Sequence, residues 1–94
     1  MGARITLRGD YDIWRRDELR AELNTVDLTD DVTIDLSQTT LMDAGSAALL
    51  ILLHRRLHDK NPDARVILEN APPIVQRILS LCGASHLFVF TSKG

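Results

Sequence analysis

Residues 39–53 read TTLMDAGSAALLILL. Asp43 stands just before a run of small residues, where a carboxylate caps a helix by accepting a free backbone N–H, and the apolar run Ala47 to Leu53 follows at once. The pattern predicts a helix over Ala44–His58, ended by the turn Asn61-Pro62. At about 100° per residue, Ser46 falls amid Leu50, Leu53 and Leu57 on a stripe expected to face the core. Gly45 falls on the outer side with Ala44, Ala48, Ile51, Leu52 and Arg55. A helix apolar nearly all round is covered on both sides, so this outer face is expected to meet a partner or a second copy of the chain.

Working outward, Arg4 to Arg8 alternates as a half-buried strand does and Gly9 breaks it, while Leu19, Leu23 and Val26 give an amphipathic helix over Trp14–Val26. Val32 to Leu36 is a second strand, Ser37 to Thr40 a loop, and Arg65 to Glu69 a third strand. Asn70 is read as the cap of a further helix with Pro72 and Pro73 in its first turn, Val75, Ile78, Leu79 and Cys82 as its apolar stripe, and Gly83 as its stop. Leu87 to Phe90 closes the chain as a short strand. The alternation predicts one α/β domain over residues 1–94, a mixed, mostly parallel sheet packed with helices and joined by right-handed crossovers.

Of the 94 residues, 45% are apolar and 26% charged, the balance of a globular chain. A formal net charge of −2 argues against nucleic acid as a partner. The single cysteine, Cys82, reads as a buried thiol in a cytoplasmic protein. The apolar run is far short of the roughly 20 residues that insert in a membrane, and the MGARIT start matches a myristoylation pattern only by placing Thr6 in a strand. His54 and His58 lie four apart on one helix but suggest no third ligand, so they are read as solvated, with no metal and no cofactor. Nothing pairs a nucleophile with a base, so no enzyme is expected.

Three segments together resemble the STAS domain of anti-sigma factor antagonists. Gly9-Asp10-Tyr11-Asp12 with Asp17-Glu18-Leu19-Arg20 is similar to the family's opening G-E-L-D and its helix start; Asp35-Leu36-Ser37 and Leu41-Met42-Asp43-Ala44-Gly45-Ser46 to its D-L-S and F-M-D-S-S-G; and Asn70 to Arg77 with Leu79 to Gly83 to its closing helix. The resemblance implies a non-enzymatic switch. The unmodified form binds a serine-kinase anti-sigma factor, phosphorylation at the start of the central helix releases it, and a phosphatase resets it. A helix N-terminus suits that charge because its free N–H groups and macrodipole favour an anion.

The family's acceptor serine aligns with Gly45, which has no hydroxyl, and Ser46 comes one residue late, leaning toward the sheet. Phosphorylation of Ser46 is therefore not expected, and Thr39 and Thr40 are better read as turn formers. The resemblance places Asp10, Asp12 and Asp43 with the partner-binding surface, where Asp12 and Asp43 also fit as helix caps. Trp14, next to Arg15 and Arg16, has the composition of an interface anchor, and packing across the sheet edge would account for it equally. With Ala44, Gly45, Ser46, Ala48, Ile51, Leu52 and Arg55 these residues make up the expected surface. A STAS subunit of a lipid-transport ATPase or of a larger signalling assembly would need the same surface without the phosphate.

Overall fold

The computed structural model describes residues 2–92. The elements are β1 (Ala3–Tyr11), a 3-10 turn at Ile13–Arg15, α1 (Arg16–Asn24), β2 (Val32–Met42), α2 (Ala44–Lys60), β3 (Val66–Glu69), α3 (Pro73–Leu81), a 3-10 turn at Ser85–Leu87 and β4 (Val89–Thr91). The four strands lie in the order β1-β2-β3-β4 and every pairing is parallel. Each crossover moves one strand over in the same direction, and right-handed connections of that kind lay their helices on one face of the sheet. α2 lies between α1 and α3, in contact with both.

The core forms between the helix layer and the sheet. Register aligns Ile5, Ile34, Leu68 and Phe90 in one row across all four strands. Ile34 and Leu68 at its centre are fully buried, as are Leu50, Leu53 and Leu57 of α2 and Leu19 and Leu79 of its neighbours. Such side chains contribute about 1.5–3 kcal/mol each by leaving water.

The next residue along each strand points the other way, and that face is polar except for Ile67 and Val89. Arg4 on β1 reaches across β2 to Glu69 on β3, 2.5 Å between charged atoms, and stands 4.0 Å from Asp35 on the strand between. The Ser37 N–H, followed by Ser37's own side chain, holds the Asp35 carboxyl below its usual range despite some burial.

Several boundaries differ from those read in the sequence. β1 does not end at Gly9: the glycine takes a φ of +83°, open to a residue without a Cβ, and the strand runs on to Tyr11. Because β1 continues, Ser37–Thr40 is strand and not loop, with β2 carrying extra residues at two bulges, between the partners of Thr6 and Arg8 and between those of Gly9 and Asp10. The hydroxyls that suggested a turn are tied across the pair. Thr39, buried, donates to the Leu7 carbonyl at 2.9 Å, and Thr40 donates to the Asp10 carboxylate.

Trp14 stands in a 3-10 turn ahead of α1, and α1 stops at Asn24, before Val26. Asn70 does not cap α3. It adopts a left-handed φ of 56°, and Pro72 is the cap. Cys82 is exposed, not buried, because α3 ends at Leu81 and Cys82 is already its C-cap. Gly83 follows at a φ of +68°, as a helix-stopping glycine does. His54 is not fully solvated either: it stacks on His58 at 5.9 Å and meets Phe88 edge-on at 6.0 Å. Its pKa is lowered by burial first, and then by the positive charge of His58, Arg65, His86 and Arg55.

Candidate functional site

In a parallel sheet the helix N-termini collect at the carboxyl ends of the strands, where crevices for ligands and partners form. Here Tyr11 organises that edge. Its ring is buried, with the Arg15 guanidinium 4.2 Å above it, and its hydroxyl accepts from the Arg8 N–H at 3.1 Å. Burial pushes its pKa up. The Tyr11 carbonyl accepts two bonds, from the Asp43 N–H and from the Ser46 hydroxyl, each at 3.1 Å. The end of β1 thus holds the start of α2, and Asp12 and Asp43 lie on the same edge.

Asp12 caps the 3-10 turn, accepting from the Trp14 N–H at 3.0 Å. Asp43 caps α2, with Oδ1 accepting from the Ser46 N–H at 2.7 Å and Oδ2 paired to the Arg16 guanidinium at 2.9 Å. Burial alone would raise the Asp43 pKa, but Ser46 and then Arg16 outweigh it and hold the carboxyl below its usual range.

Arg16, which the sequence marks only as a neighbour of Trp14, is the partner of Asp43. Its guanidinium lies across the first turn of α2, and a Cβ added to Gly45 would run into Nη2, Cζ and Nε. Its Nε is itself buried without an acceptor. Gly45 is therefore covered by the flexible end of the Arg16 side chain, which can swing aside, and not by backbone. Ser46 is 0% exposed, and its hydroxyl is spent on Tyr11.

Beyond the first turn the outer face is mostly open. Ala44, Ala48, Leu52 and Arg55 are exposed, and Leu52 keeps 48% of its surface. Ile51, expected among them, is half-buried and packs on the core, so only part of it reaches the surface. Ala48, Leu49, Ile51, Leu52 and Arg55 line a shallow depression of about 330 Å³. Trp14 is 88% exposed, with Ile13 exposed beside it. Asp10 is exposed and held by Thr40. A large aromatic left in water at a domain edge is costly unless something covers it.

Arg16→Ala should raise the Asp43 pKa, because the cation that favours the carboxylate is gone while the Ser46 N–H remains. A depressed carboxylate contributes stability that is present above its unfolded pKa and lost as pH falls through the folded one. The variant should therefore lose less stability on acidification, and at neutral pH it should cost about 1 kcal/mol or less, since the pair is about one-third exposed. An NMR titration of the Asp43 carboxyl carbon reads this directly; an unchanged midpoint would refute the assignment of Arg16.

Among the described residues, no group of three or more His, Cys, Asp or Glu could hold a metal ion, and no helix is long and apolar enough to cross a membrane. The chain matches the family described as "Mlab, STAS domain" over residues 2–89. A solved structure described as the anti-sigma factor antagonist SpoIIAA in its unphosphorylated form superposes with a TM-score of 0.73 at 20% identity, covering 97% of this chain and 78% of that one. No curated protein matches the sequence.

Proposed function

Because the chain belongs to the STAS family, we propose that it is a non-enzymatic, cytoplasmic binding module of the anti-sigma factor antagonist kind, docking a kinase-type anti-sigma factor and acting without phosphoserine control. The observation that carries this reading is the closed first turn of α2. Gly45 has no hydroxyl, the Arg16 guanidinium lies over it, and the one nearby serine is buried. The partner meets Trp14, the Asp12 and Asp43 edge and the Ala44, Ala48, Leu52 and Arg55 face of α2, with Asp10 and Ile51 at its margin. No phosphatase is needed to reset a surface that is not switched.

The same closed turn favours a second reading, a permanent interaction subunit of a lipid-transport ATPase, for which a fixed surface suffices. One measurement separates the readings, and a second tests the constitutive surface they share. Calorimetric titration against a kinase-type anti-sigma factor and against a transport ATPase subunit shows which one binds. Incubation with the anti-sigma kinase and Mg-ATP, followed by mass spectrometry, should leave the chain unmodified, and phosphate mapped to Ser46, Thr39 or Thr40 would sink the constitutive reading.

A further inference from the structure

A second apolar surface lies on α3, apart from the residues assigned above. Met42, Pro73, Ile74, Arg77, Ile78 and Leu81 line a groove of about 530 Å³. Leu81 is 73% exposed and Ile74 also stands in water, while Met42 is buried at the floor. The spacing of Ile74, Ile78 and Leu81 repeats every three or four residues, so they form one ridge along about 10 Å of helix, the length of two turns of a docked helix.

We propose that this groove takes an amphipathic helix of a partner protein, apolar on one face and acidic at its margin. Charge selects the occupant. Arg77 is the only charged residue in α3 and makes no ion pair or side-chain hydrogen bond among the described residues. A carboxylate set beside the apolar face of the incoming helix supplies the missing partner, as in helix-in-groove recognition. A second copy of the chain fits poorly, because a two-fold interface across α3 would offer Arg77 only the same helix, which carries no Asp or Glu. A bilayer is flat and would bridge the groove without reaching Met42.

The groove begins at Met42, the residue before Asp43, so the helix would enter beside the α2 surface. Its occupancy does not depend on which partner α2 binds.

The test is a helix-displayed random peptide library selected on the full chain and counter-selected on Leu81→Asp, which should fold because Leu81 is exposed. Enriched peptides should carry apolar residues at i, i+3 or i+4, and i+7, with Asp and Glu outnumbering Lys and Arg. The best peptide should move the methyl resonances of Ile74, Ile78 and Leu81, and bind Leu81→Asp and Ile74→Asp at least ten-fold more weakly. Arg77→Glu should turn its charge preference toward Lys, and Trp14→Ala should leave its binding unchanged, which separates this groove from the α2 surface. Three results would overturn the proposal: no enrichment over the Leu81→Asp control; a dimer in sedimentation that Leu81→Asp disperses; or Leu81-dependent binding to phosphatidylglycerol vesicles in place of peptide.

Discussion

Ser46→Asp is expected to unfold the chain instead of mimicking a phosphate. Ser46 has no solvent exposure, and its hydroxyl donates to the Tyr11 carbonyl. A carboxylate there would oppose that carbonyl acceptor to acceptor, and would stand against Asp43, whose Oδ1 already takes the Ser46 N–H. An unpaired buried charge costs several kcal/mol, most of the roughly 5–10 kcal/mol that keeps a domain of this size folded. Ser46→Ala, by contrast, should cost about 1 kcal/mol, because the Tyr11 carbonyl keeps its bond from the Asp43 N–H. Urea denaturation followed by circular dichroism distinguishes the two. A Ser46→Asp midpoint close to that of wild type would mean that the first turn of α2 opens easily enough to expose position 46.

The second large effect is on binding, not folding. Trp14→Ala should weaken the α2 partner at least thirty-fold, the roughly 2 kcal/mol or more of an aromatic anchor, while changing stability by about 0.5 kcal/mol or less, since the ring is 88% exposed. Leu52→Asp should weaken the same complex by placing a charge in the apolar depression beside Ala48 and Arg55. Ile51→Asp is the contrasting case: Ile51 packs on the core, so that change should lower stability as well as affinity. Calorimetry for binding and thermal melts for folding separate these effects. Wild-type affinity in both Trp14→Ala and Leu52→Asp would remove this face from the interface.

Much of the fold was legible because apolar periodicity reports which face an element buries, and most elements here are one-sided. Val32, Ile34 and Leu36 alternate and are buried; Leu50, Leu53 and Leu57 recur at helical spacing and are buried. The errors came where a distant partner decides the outcome. Ser37–Thr40 looks like a turn because its side chains favour one locally, but β1 runs alongside and supplies acceptors at Leu7 and Asp10. Gly9 looks like a breaker, yet β1 passes through it at a positive φ. Cys82 continues an apolar spacing that the end of the helix has already made irrelevant.

The site was legible to the same depth. Asp43 as a cap and the inward lean of Ser46 follow from local helix geometry and stand in the structure as read. Arg16 could not be found that way, since the carboxylate it pairs with lies 27 residues on and nothing in its own neighbourhood points there. The exposure of Ile74 and Leu81 is hidden for the opposite reason: within an apolar helix, sequence alone does not show which residues a small domain has too little mass to cover.

The order of the strands in the sheet is also their order in the chain, and this matters while the protein is being made. Each strand pairs with the one synthesised just before it, so no later segment must wedge between two that have already joined. A chain emerging N-terminus first can therefore add one strand-and-helix unit at a time, each docking on a finished edge. The Arg4 clamp cannot close until Glu69 leaves the ribosome, so it ties the first strand to the third only after the second has taken its place between them.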